Sequence, residues 1–105
     1  YIGVVVPKYL KSRWSLYTKG DHSNLKMISK KVVDIDVFHY DSDKSYNGRY
    51  SALNALRDHL SSKSWIIIDD IQDNSFFYDL VSKKPCENWR VFHFEGKWVG
   101  LIFPG

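Results

Sequence analysis

Two aspartate clusters, each closing a short apolar stretch, are the residues of this chain best placed to do chemistry. The first is Ile35-Asp36-Val37-Phe38-His39-Tyr40-Asp41-Ser42-Asp43-Lys44, and the second is Trp65-Ile66-Ile67-Ile68-Asp69-Asp70-Ile71. A helical stretch from Arg49 to Leu60 separates them. In a strand–helix–strand unit the two strands run parallel, so both acidic tips emerge on the same edge of the sheet. Ligands of open α/β sheets sit at that carboxyl edge. Carboxylates brought together repel unless a cation, a hydroxyl or an amine lies between them. The pattern therefore points to a polar ligand site.

The elements that position these tips follow from spacing and punctuation. Pro7 suits the first position of a short helix through Trp14. Trp14 to Thr18 reads as a strand, stopped by Gly20-Asp21. Ser23 or Asp21 can cap a helix through Lys31, with Leu25, Ile28 and Val32 at spacings of three and four. Ile35 to Tyr40 is the next strand. Asn47-Gly48 precedes a helix whose buried face is expected to be Tyr50, Leu53, Leu56 and Leu60. The unbroken apolar run Trp65 to Ile68 is expected of a strand covered on both faces. Asp73 or Asn74 can cap a helix that turns Phe76, Phe77, Leu80 and Val81 inward and ends at Lys83-Lys84-Pro85. Trp89 to Phe94 and Trp98 to Phe103 then flank the turn Glu95-Gly96-Lys97 as a hairpin.

Composition bounds the rest. The 105 residues are one domain, and the 44% hydrophobic and 16% aromatic content argue for a folded globule. The formal charge of +3 is mildly basic, and the lysines are spread over several segments, as on solvated helix faces. The single cysteine, Cys86, excludes an internal disulfide and a cysteine metal site. No apolar run approaches a membrane span, no signal-peptide pattern is present, and a reducing, cytoplasmic setting is expected. No GxSxG elbow supports hydrolase chemistry. His22, His59 and His93 share no metal-ligand spacing. Tyr1 to Val6 already read as mid-domain sequence, so a fragment or processed chain is expected.

The two acidic segments, in this order and spacing, resemble the second half of class I S-adenosylmethionine-dependent methyltransferases, closest to the small-molecule O-methyltransferase-like branch. Val4-Val5-Val6-Pro7, Arg13-Trp14 and Gly20-Asp21 look like the segments around that family's third strand. The resemblance implies an α/β fold: a Rossmann-like, mostly parallel sheet with an antiparallel C-terminal hairpin whose final strand is reversed. The family's first two strands are missing, and with them the glycine-rich donor turn, since the glycines here form no GxGxxG. The loss would leave the Ile35 strand with an open edge, which invites pairing with a second copy.

The resemblance also implies roles. S-adenosylmethionine is the implied methyl donor and a small molecule the acceptor. Asp21 matches the position near the donor's adenine, although a helix-cap role competes. Asp41, Asp69 and Asp70 match residues that hold a divalent cation in metal-dependent members; such an all-oxygen site suits Mg²⁺ or Ca²⁺. The competing reading is local, with Asp69-Asp70 capping a turn and Asp41 making an Asx-turn. Asp41 and His39 are the catalytic candidates, His39 as the base that methyl transfer to a hydroxyl needs, although as a strand residue it reads first as packed or hydrogen-bonded in the core. Asp43, Lys44 and Tyr46 are candidates for orienting the acceptor, against a surface pair for the first two. Trp65, Phe76, Phe77 and Trp89 either line an acceptor pocket with Tyr46 or fill the core. Two functions of other classes stand beside this one: a non-catalytic dimeric interaction module, and a weak nucleic-acid binder using the dispersed lysines.

Overall fold

The computed structural model describes residues 5–83 and 88–104. Cys86 and Lys84-Pro85, and the segment before Val5, lie outside the described residues. Four strands form one sheet: β1 (Val37–Tyr40), β2 (Trp65–Ile68), β3 (Trp89–Phe94) and β4 (Lys97–Ile102). Three helices accompany them: α1 (Asp21–Ser29), α2 (Tyr46–Leu56) and α3 (Phe76–Lys83). The sheet order is β1-β2-β4-β3. β1 and β2 pair in parallel, and β4 pairs antiparallel with both β2 and β3. The sheet is therefore mixed. Of its three pairings one is parallel, yet β1, β2 and β3 run in the same direction and only β4 opposes them.

The parallel pair is set by a short turn before β2. The buried Ser64 hydroxyl donates to the Ile35 carbonyl at 2.6 Å and accepts from the Ser61 N–H at 3.0 Å. This locks Val37 opposite Trp65 and Tyr40 opposite Ile68. One residue of slip would turn every side chain of β2 to the other face.

One face of the sheet carries Ile66, Ile68 and Ile102, and α2 and α3 pack on it with Leu53, Phe76, Phe77 and Val81. The opposite face carries Val37, Trp65 and Phe92, which remain 58, 43 and 56% exposed. The expectation of a β2 covered on both faces is therefore corrected. Its apolar run reflects helix packing on one side and a bare apolar surface on the other.

Several boundaries also shift. Trp14 to Thr18 is not a strand: among the described residues it forms no ladder with another segment, and β propensity alone does not supply one. Pro7 caps the short 3-10 turn Lys8–Arg13 and does not open it as its first residue. α1 starts at Asp21 behind Gly20, whose φ of 86° suits glycine, and no side chain caps it. α2 begins three residues earlier than expected, because Ser45 and not Asn47-Gly48 marks its start. The Ser45 hydroxyl accepts from the Gly48 N–H at 3.0 Å. Gly48 then sits inside the first turn, where a Cβ would collide with the Asp43 carboxyl group. Tyr50 lies on the solvent side, and Arg49 takes its place in the buried stripe with Ala52 and Leu56. The hairpin loop is two residues, Glu95 and Gly96, both at positive φ (50° and 80°) as a tight hairpin turn requires. Lys97 thus opens β4.

Removing the α2 cap tests this start site. Ser45→Ala is expected to lower stability by about 1 kcal/mol, read as a lower urea midpoint with an unchanged denaturant slope. An effect near zero would place the helix start elsewhere.

Candidate functional site

The register of β1 on β2 brings the two acidic tips together. Asp41, Asp69 and Asp70 each offer a carboxylate oxygen within 4.8 Å of the others'. Asp41 is exposed, Asp69 half-buried and Asp70 buried. The charge is not left bare: the Lys44 ammonium pairs with Asp70 and lies 3.3 Å from Asp41. Of the three partners that could separate such carboxylates, the amine is the one the chain supplies itself. Lys44 therefore does not form the expected surface pair with Asp43. Its amine holds the Asp41 carboxyl below the ordinary carboxylate range.

Asp70 has a left-handed backbone (φ 52°, ψ 47°), which costs a non-glycine residue of order 1 kcal/mol. Arg49 holds it there. This guanidinium is 1% exposed and donates to the Asp70 carbonyl at 2.8 Å and the Asp69 carbonyl at 3.1 Å. It also reaches Asn74 Oδ1 at 3.4 Å. Asn74 is a junction in its own right. Its Oδ1 accepts from the Phe76 N–H, and its Nδ2 donates to the Lys44 carbonyl at 2.8 Å. Gln72 adds a donor to the Asp70 carboxylate at 3.3 Å. The acidic cluster is thus built on a positioned scaffold of Arg49, Asn74 and Gln72.

Sequence reading assigned no role to Arg49. Its signal was its spacing: residues 49, 53 and 56 fall at i, i+4 and i+7, one helical stripe. A basic residue in such a stripe is either misplaced or satisfied, and here the guanidinium makes three hydrogen bonds to two backbone oxygens and one amide oxygen.

A second cluster lies on the other side of β1. The buried Tyr40 hydroxyl donates to the Asp43 carbonyl at 2.9 Å and lies 3.5 Å from Asp21 Oδ2. Burial first, then the Asp21 and Asp43 carboxylates, pushes the Tyr40 phenol up to about 12. These residues, with His22, Ser45, Gly48 and Ala52, line a groove of about 350 Å³ between α1 and α2. Asp21 is the first residue of its helix and its carboxylate faces this groove, in place of the cap expected of it. Asp43 accepts from the Ser45 N–H, which lowers its carboxyl's proton affinity.

Tyr46 stands apart from both clusters, whereas His39 lies near enough to Asp41 to add to Lys44 in lowering its carboxyl's proton affinity. The Tyr46 hydroxyl donates to Asp79 at 2.6 Å, which raises its pKa, and its ring meets Phe76 edge-on at 5.4 Å. It ties α2 to α3. His39 is exposed on β1, pointing opposite to Tyr40, and does not lie in the core. Of the aromatic candidates, Phe76 and Phe77 are buried in the core. Trp89 packs edge-on against Phe77, and Trp65 stacks beside Phe103 on the bare sheet face.

Compared with known proteins, the chain matches no family model, no curated protein and no solved structure. No described helix is long and apolar enough to cross a membrane.

Proposed function

We infer that this chain forms the later part of an S-adenosylmethionine-dependent methyltransferase, and that its carboxyl edge is the acceptor side of the cleft. The observation that carries the reading is the convergence of Asp41, Asp69 and Asp70 at the ends of the parallel strand pair. The strand directions support it too: the last strand alone is reversed, as the resemblance implies. So does the groove beside Tyr40, where Asp21 offers a carboxylate at the position that the resemblance assigns to the donor.

In this reading Asp41, Asp69 and Asp70 would hold a divalent cation, whose chemistry would be to lower the proton affinity of an acceptor hydroxyl. The donor set fits a hard cation, being three carboxylates on a scaffold that fixes their backbone. Lys44 Nζ occupies part of the same space, so it moves aside when the ion binds and is then free to orient an acceptor with Asp43. Asp41, the exposed member, faces the acceptor. His39, two residues before it, accepts the hydroxyl proton.

The test is calorimetric titration with Mg²⁺ and Ca²⁺ alone, followed by S-adenosylmethionine and S-adenosylhomocysteine. One cation is expected to bind, with affinity lost in Asp69→Asn and raised about tenfold in Lys44→Gln, a change of 1.4 kcal/mol. Donor binding in the micromolar range would mean that the missing strands and their glycine-rich turn are replaced, as across a dimer. If neither cation binds either protein, Lys44 is the cluster's permanent cation and the acidic tips are a structural ion-pair network. If the donor fails to bind up to millimolar concentration, the non-catalytic module leads.

A further inference from the structure

Among the described residues β1 is an unpaired edge of the sheet. The Trp65 N–H donates to the Asp36 carbonyl and the Asp69 N–H to the Tyr40 carbonyl. In a parallel pair these bonds alternate along the strand. The N–H and C=O groups of Val37 and His39 therefore point away from β2, toward the open edge. Nothing guards that edge: it has no proline, no bulge and no lysine within Val37–Tyr40.

The same molecule carries a strand-forming segment with no ladder to join. Trp14 is extended (φ −117°, ψ 132°), and Leu16 is 49% exposed. The segment alternates Trp14, Leu16 and Thr18 with Ser15 and Tyr17. Only its two ends are fixed: the Trp14 N–H donates to Lys11, and the Tyr17 carbonyl accepts from Asn24. Among the described residues, the N–H groups of Ser15 and Leu16 meet no acceptor.

The charges of the two strips are complementary. Lys11, Arg13 and Lys19 flank Trp14–Thr18, whereas Asp34, Asp36 and Asp41 flank β1. Apart from Asp41, which Lys44 meets, none of these groups has an ion-pair partner among the described residues. The surface area points the same way. The molecule exposes 7966 Å², whereas a folded monomer of 12.3 kDa exposes roughly 6,100 Å². The excess is larger than the roughly 800 Å² per partner of a standard interface.

We propose that two copies of this chain form a symmetric dimer in which the Trp14–Thr18 segment of each adds as a strand to the β1 edge of the other. Main-chain bonds to Val37 and His39 supply the ladder, and Trp14 and Leu16 extend the bare apolar face beside Val37 and Trp65. The two basic ends meet the acidic flanks of β1. This inference stands on the edge and the segment alone and is independent of the methyltransferase reading.

Sedimentation velocity over a concentration series tests it, with hydrogen exchange on the same samples. The unmodified chain is expected to dimerise, with Val37 and His39 amides protected in the dimer. Leu16→Pro removes a donor and fixes φ within a segment that makes no ladder in the monomer, so the fold is retained. It is expected to weaken dimerisation at least tenfold. Raising salt to 0.5 M is expected to weaken the unmodified dimer several-fold, because the flanking charges are exposed. Should Leu16→Pro fail to fold, Trp14→Ser with Leu16→Ser gives the same readout. A monomer at every concentration overturns the proposal, as does a dimer that neither variant weakens. Protected Val37 and His39 amides in a monomer would also overturn it, because the segment would then pair within its own chain.

Discussion

Arg49→Met is expected to lower stability by about 3 kcal/mol, the lower end of what breaking a buried charged network costs. For a domain of this size that is a fall of more than about 10 °C in Tm. The side chain's methylenes pack as methionine's would, so the loss isolates the guanidinium. Without it the Asp69 carbonyl loses its guanidinium donor, the Asp70 carbonyl keeps only the Asp73 N–H at 3.3 Å, and Asn74 loses one of its three partners. The left-handed backbone at Asp70 then has little to hold it. Arg49→Lys is expected to recover less than half of the loss, because one ammonium cannot span two carbonyls and an amide. Differential scanning calorimetry of the three proteins decides the matter. A Tm for Arg49→Met within about 3 °C of the unmodified chain would mean that the guanidinium does not organise the β2 tip. The same substitution is expected to loosen the acidic cluster, so any cation affinity measured for the unmodified chain should fall with it.

Gly100→Val is expected to be nearly as damaging, at about 3 kcal/mol, with Gly100→Ala at about 2 kcal/mol. Gly100 lies in β4 between Ile68 of β2 and Val91 of β3. The Phe77 ring covers its Cα, and any Cβ built there overlaps the ring. Phe77 is 4% exposed and packs edge-on against Trp89, so moving the ring off a Cβ disturbs that contact. The strain is therefore specific to one pair. Phe77→Leu in the Gly100→Ala background is expected to recover about 1 kcal/mol relative to the sum of the single changes. Chemical denaturation of the four proteins gives that coupling directly. A coupling of zero would show that Gly100 is conformationally required and not sterically confined.

The parts of the fold legible in the sequence were those with a short-range cause. β1 and β2 follow from apolar runs ending in aspartates. α3 follows from Phe76, Phe77, Leu80 and Val81 on one stripe, and the hairpin from Glu95-Gly96 between alternating strands. Trp14–Thr18 misled because its residues favour an extended chain, whereas a strand needs a neighbouring strand, and no described strand pairs with it. The start of α2 misled because Asn47-Gly48 resembles a turn. The Ser45 hydroxyl instead caps the helix there, and the Asp43 carboxyl fills the space that a Cβ at Gly48 would need.

For the candidate site the division is similar. The sequence by itself determined that Asp41 and Asp69-Asp70 share an edge, because a helix between two short strands forces them to run parallel. It also determined that something must neutralise them. Only the tertiary structure decided what does so, since Lys44 reaches Asp70 across 26 residues of chain once β1 and β2 are in register. It alone decided that Arg49 is internal, because whether a charge on a helical stripe is buried depends on acceptors brought in from Asp69, Asp70 and Asn74. It alone left one face of the sheet and the β1 edge uncovered among the described residues. Periodicity records that a residue is apolar, but coverage depends on which elements the whole chain has to pack against it.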